Sequence, residues 1–134
     1  LDNVKFISSV PKDDVTKYWR ILDGAIIHLK KEPVFEKVIP SKLFECMGMG
    51  IPVLHGVQGE SAEIVIKHKV GLVFEPESPS ELCKVILKLR GDPVLREEFN
   101  TNCLKHAAKF DRKKKAFEML NILESIERKY QRNQ

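Results

Sequence analysis

Short apolar runs alternate along this chain with stretches in which apolar residues recur every three or four positions. V-K-F-I at 4–7 predicts a short strand. Pro11 then opens a helix whose first turn holds Asp13 and Asp14, acids that suit the positive end of the helix dipole. Val15, Tyr18, Trp19 and Leu22 share one face of that helix, and Asp23-Gly24 ends it. A-I-I-H-L at 25–29 is nearly continuous in apolar residues, the pattern of a central parallel strand covered on both faces. A loop over 30–39 leads to a helix starting at Pro40-Ser41 with Leu43, Phe44 and Met47 on its apolar side. I-P-V-L at 51–54 and V-G-L-V-F at 70–74 predict two more strands, separated by the loop 55–60 and a helix from Ser61 that carries Ala62, Ile64 and Val65. Ser78, Pro79 and Glu81 mark a capped helix start with Leu82, Val85, Ile86 and Leu89 as its buried stripe. Asp92-Pro93 starts the next helix, which carries Leu95, Phe99, Cys103 and Ala107. A last helix runs from Asp111 to about Tyr130 with Phe117, Leu120, Leu123 and Ile126 as its contact face, and 131–134 read as a polar, frayed end. The order βαβαβαβααα predicts an α/β fold, a Rossmann-like parallel sheet with helices on both faces, in one domain.

Charge and composition alter this picture little. The 134 residues carry 23 Lys and Arg against 19 Asp and Glu, a net charge of +4, and residues 111–134 hold seven Lys or Arg against four acids. A solvated helix explains that tail most simply, an anionic lipid surface next, and nucleic acid is set aside. Cys46, Cys83 and Cys103 have neither metal-binding nor CxxC spacing and read as reduced thiols of a cytoplasmic protein. The four histidines form no zinc-type cluster, so no metal is expected. No G-x-G-x-x-G follows the first strand and no G-x-x-x-x-G-K-[ST] occurs, which excludes a standard dinucleotide-binding unit and a P-loop NTPase.

Candidate chemistry gathers in E-K-V-I-P-S-K-L-F-E-C-M-G-M-G-I-P, residues 36–52. In an open parallel sheet ligands sit beyond the carboxyl ends of the strands, where the loops 30–41, 55–61 and 75–78 emerge. Ser41, Lys42 and the free amides of a first helical turn suit a phosphate. The plainer reading makes Ser41 an N-cap and Lys42 a solvated cation. Glu45 follows Ser41 by one turn and suits two vicinal hydroxyls rather than a phosphate. Its plainer reading is a surface pair with Lys42. One of Gly48 and Gly50 ends the helix in a left-handed turn. Gly56 and Gly59 let the next loop approach a ligand closely, and Glu60 either meets that ligand or caps its own helix; Glu63 is a weaker candidate. His28, inside an apolar strand, reads as a satisfied inner-layer histidine. His55, at a strand end, competes for ligand contact. No nucleophile–His–acid set stands out.

P-S-K-L-F-E-C-M-G-M-G-I-P-V-L, then G-E-S-A-E-I, then G-L-V-F-E-P-E-S-P-S-E-L, together resemble the retaining glycosyltransferases of the GT-B group (group 1, family-4-like). The resemblance is to their carboxyl-terminal, donor-binding domain, in the bacterial enzymes that build lipopolysaccharide, capsule or O-antigen, and it covers essentially the whole chain, 1–134. It implies two Rossmann-like domains facing across a cleft and a nucleotide-diphosphate sugar, UDP- or GDP-linked, as donor, with no cofactor and no catalytic metal. By this resemblance Glu45 would bind the ribose, Ser41 and Lys42 would lie by the diphosphate with Lys42 assisting its departure, and Gly59 and Glu60 would flank the nucleotide. The family commonly places a Glu eight positions before the ribose-binding one; Lys37 stands there, with Glu36 nine before Glu45. Glu36 is accordingly a candidate contact at the reacting sugar, and Lys37 a candidate contact to the diphosphate.

The same resemblance makes the chain a donor domain that begins at its third strand, lacking two strands and the amino-terminal acceptor domain. In the order 3-2-1-4-5-6 the absent strands would separate V-K-F-I from A-I-I-H-L. A free apolar edge of this kind favours a homodimer or strand exchange. A lipid-linked or glycan acceptor, and a place in the cytoplasm or at the inner membrane face, follow from the same reading. The rival readings are a GT-B-like sugar-nucleotide epimerase and a non-enzymatic α/β interaction module.

Overall fold

The computed structural model describes residues 2–132. Its elements are α1 (Lys12–Trp19), β1 (Ala25–His28), α2 (Ser41–Gly48), β2 (Val53–Gly56), α3 (Glu60–His68), β3 (Gly71–Val73), α4 (Pro79–Gly91), α5 (Pro93–Ala107) and α6 (Arg112–Arg132), with 3-10 turns at Phe35–Lys37 and Ala108–Phe110. The three strands pair in parallel in the order β1-β2-β3, with Ile26 opposite Leu54 and Leu54 opposite Leu72. An α/β sheet with helices against it is the class the alternating pattern predicts.

Strand alternation divides the core. Ile27 and Val53 face a cluster with Leu43, Cys46 and Met47 of α2, Val65 of α3 and Cys103 of α5. Leu54 turns to the other face, against Phe74, Leu89 of α4 and Phe99 of α5. Leu43 and Met47 are fully buried, and each such side chain contributes about 1.5–3 kcal/mol. They anchor α2, and the chain needs a sharp stop after it to reach β2. Gly50, at φ +69°, supplies that stop. Its N–H donates to the Met47 carbonyl and that of Ile51 to the Cys46 carbonyl, the paired bonds of a Schellman cap. Asn100 of α5 donates to the Gly50 carbonyl at 2.6 Å and locks the turn. Ser78 caps α4 by accepting from the Glu81 N–H, and Asp92 caps α5 by accepting from the Leu95 N–H.

The structure corrects several expectations. V-K-F-I forms no strand: Phe6 is 97% exposed, and residues 4–10 carry no regular structure. A strand needs a neighbouring ladder for its backbone groups, and none among the described residues receives this one. A-I-I-H-L is an edge strand rather than a central one. Only Ile27 is buried there, while Ile26 is 53% exposed beside α4. An apolar run reports burial of side chains but not which strands flank it; β2, buried at every position, is the central strand. The supposed buried face of α1 contains no fully buried residue, and Trp19 alone packs on the main core. The contact face of α6 is open, with Phe117, Leu120, Leu123 and Ile126 all exposed. Gln131 and Arg132 continue that helix, and the remainder of the expected frayed end, 133–134, lies outside the described residues.

Candidate functional site

Ser41, Lys42 and Glu45 line a cleft of about 680 Å³ between α1 and α2. Lys12 and Trp19 of α1 form the opposite wall, and Phe44, Phe110 and Arg112 complete it. The Phe44 and Phe110 rings stack at 4.7 Å, which fixes the 3-10 turn Ala108–Phe110 against α2. Lys12, Lys42 and Arg112 are the cations of this cleft and Glu45 its carboxylate. Sequence reasoning did not reach Lys12, Trp19, Phe110 or Arg112. They come from elements far apart in the chain, and each has an adequate local explanation in helix starts, apolar stripes or tail charge.

Pro40 stands at the N-cap of α2, its carbonyl accepts the Leu43 N–H at 3.0 Å, and among the described residues no side chain caps the Ser41 and Lys42 amides. Ser41 is therefore the first helical residue rather than the cap the plainer reading supposed. Its hydroxyl donates along the helix to Glu45 Oε1 at 3.4 Å. Glu45 pairs with Ser41 and forms no ion pair with Lys42 among the described residues. The result is a helix N-terminus with free amides, an adjacent cation and, one turn on, a carboxylate. A phosphate or diphosphate matches the first two and a pair of hydroxyls the third.

Glu36, Lys37, Gly59 and Glu60 lie outside this cleft. Glu36 and Lys37 occupy the exposed 3-10 turn Phe35–Lys37. Four peptide units separate Lys37 from Ser41, so their Cα atoms lie within about 14 Å. Gly59 sits at φ +76°, ψ −149°, and its Cα packs against the Glu36 backbone; a Cβ there would overlap the Glu36 carbonyl oxygen. The loops after β1 and β2 thus meet backbone to backbone. Glu60 is exposed in the first turn of α3 and does not cap it, since no side chain does.

The two histidines exchange the places the sequence suggested. His28 is exposed, not an inner-layer residue; its Nε2 accepts the Glu77 N–H at 3.0 Å. His55 is fully buried behind the loop and pairs through Nε2 with Ser61 Oγ at 2.9 Å. Burial pushes its pKa down from 6.5 to about 4. Among the described residues its Nδ1 has no hydrogen-bond partner, which assigns the proton to Nε2, because an orphaned lone pair costs less than an orphaned N–H. His55 thus fastens the end of β2 to the start of α3 and is shielded from ligand. Cys46 and Cys103 are buried, and burial pushes both thiols up to about 12, whereas Cys83 is exposed. Among the described residues no three His, Cys, Asp or Glu side chains are grouped to hold a metal ion, and no helix is long and apolar enough to cross a membrane.

A family model described as "Glycosyl transferases group 1" matches residues 1–106. No curated protein matches the chain.

Proposed function

The chain belongs to the group 1 glycosyl transferases, and from that membership we propose that it is the nucleotide-sugar-binding domain of an enzyme that transfers a sugar from a nucleoside diphosphate to a hydroxyl. One observation carries the proposal: the cleft that brings an uncapped helix N-terminus, Ser41, Lys42 and Glu45 to one wall. The amides of α2, the Ser41 hydroxyl and Lys42 receive the diphosphate. Glu45 turns from Ser41 to the ribose hydroxyls. Lys42, with the helix dipole, stabilises the charge that develops as the diphosphate departs. Glu36 stands at the sugar end and Lys37 beside the diphosphate, and Gly59 lets the loop carrying Glu60 close on the nucleotide.

In this reading the acceptor is held by a second, amino-terminal domain, and the chain alone binds donor without turning it over. Two further strands would pair with the open edge of β1, where Ile26 is exposed; without them that edge favours a homodimer. The basic residues and open apolar face of α6 support work beside the inner membrane on a lipid-linked or glycan acceptor, in bacterial synthesis of lipopolysaccharide or another surface polysaccharide. Titration with UDP, GDP, UDP-glucose and GDP-mannose, by calorimetry, tests the donor role. Binding by the wild-type chain, weakened tenfold or more in Glu45→Ala as hydrogen bonds to a charged carboxylate are lost, is the expected result. Equal affinity in the two proteins would remove Glu45 from the site, and an intact two-domain parent that binds no sugar nucleotide would end the proposal.

A further inference from the structure

The three loops at the carboxyl edge of the sheet converge on one exposed carboxylate. Lys31, in the loop after β1, meets Glu75 Oε1 through Nζ at 2.6 Å. Gln58, in the loop after β2, donates from Nε2 to Glu75 Oε2 at 3.0 Å. Glu75 itself lies just after β3, so each of its oxygens holds a different loop. The contacts bridge 44 and 17 positions of sequence, so they are tertiary and not local. The hydrogen bond with Lys31 holds the Glu75 carboxyl below its ordinary range and raises Lys31 above its own.

The turn that presents Glu75 is under strain. Ser78 N–H donates to the Glu75 carbonyl at 3.2 Å, which closes a four-residue turn. Pro76 is its second residue and Glu77, at φ +59°, its third. That is the pattern of a type II turn, whose third position favours Gly or Asn. A Glu there costs conformational energy that a glycine would not. Both ends of Glu77 are used: its N–H donates to His28 Nε2 at 3.0 Å, and Oε2 accepts the Lys31 N–H at 3.3 Å. The strained residue thus ties the same loop, at Lys31, that Glu75 ties.

We infer that Glu75 is a positioning residue: it clamps the loop after β1, and through it the turn bearing Glu36 and Lys37, where the donor's sugar joins its diphosphate. This rests on the donor reading above. Glu75 lines no part of the cleft that contains Ser41, Lys42 and Glu45, so its loss falls first on the sugar and reaches the nucleotide only indirectly, through Lys37 and the loop of Gln58.

The test joins amide hydrogen exchange to the same four-ligand titration, on the 134-residue chain. The side chains of Glu75 and Lys31 are 44% and 56% exposed, so the clamp is modest in strength. Glu75→Ala and Lys31→Ala are expected to accelerate exchange over residues 30–37 about twofold to tenfold. Both should reduce the affinity advantage of UDP-glucose or GDP-mannose over the free diphosphate, with a smaller change in UDP and GDP affinity. Glu75→Gln has one acceptor oxygen in place of two and should behave in between. The exchanged pair Lys31→Glu with Glu75→Lys restores the bridge once the Gln58 amide flips to accept, and should recover both readouts. Unchanged exchange, or equal loss for sugar-linked and free nucleotides with no recovery in the exchanged pair, overturns the inference. A wild-type chain that binds none of the four ligands counts against the donor reading and not against the clamp; exchange alone then decides the clamp, and unchanged exchange overturns it.

Discussion

Acidification should destabilise this domain through His55, and the size of the effect follows from its burial. His55 has no exposed surface, and its pKa falls from 6.5 to about 4 on folding. Above pH 6.5 it is neutral in folded and unfolded chains, and its full contribution to stability is present. Between pH 6.5 and about 4 the unfolded chain takes up a proton that the folded chain refuses, so stability falls as pH falls. Below about pH 4 both forms are protonated and the loss is complete. Each unit of separation is worth about 1.4 kcal/mol, so this gap corresponds to about 3 kcal/mol, a large part of the 5–15 kcal/mol of a typical domain. Urea unfolding followed by circular dichroism at pH 7.5, 6.5, 5.5 and 4.5 measures it. His55→Gln keeps a donor for Ser61 Oγ but does not titrate. It should be less stable than wild type at pH 7.5 and should lose less stability on acidification, by up to about 1.4 kcal/mol per pH unit in this window. The pKa values of His68 and His106 are also lowered, by burial first and then by neighbouring positive charge; their contributions are common to both proteins and cancel in the difference. Parallel stability curves for wild type and His55→Gln between pH 4.5 and 6.5 would refute the argument.

Gly59→Ala forces a side chain into a backbone conformation that L residues avoid and against the Glu36 carbonyl; it should cost at least about 2 kcal/mol in urea unfolding and weaken binding of all four donor ligands, because the loops after β1 and β2 can no longer meet. Native thiol titration with an aromatic disulfide should modify Cys83 alone, with Cys46 and Cys103 reacting only on unfolding; rapid reaction of a second thiol would contradict their place in the core.

Features under short-range control could be read from the residues alone. Helix starts at Ser78-Pro79 and Asp92-Pro93 were legible because capping joins residues three apart. The strands at 51–54 and 70–74 were legible as apolar runs, though the ladder took slightly different bounds, Val53–Gly56 and Gly71–Val73. The segment Ser41–Glu45 was legible because three functional groups fall within one helical turn. What crosses long separations was decided only in three dimensions. The sequence marked A-I-I-H-L and V-K-F-I as strands; ladder pairing made the first an edge and left the second unpaired, since hydrogen-bond partners are not encoded locally. His28 lies inside an apolar run and His55 ends one, and only the packing of α3 over β2 made the second a buried, neutral lock. Lys12, Arg112 and Trp19 entered the cleft by the placing of helices, and Glu75 became a junction because three loops happen to end beside it. A residue's chemistry is local, whereas its neighbours, burial and hence its pKa and role are properties of the folded chain.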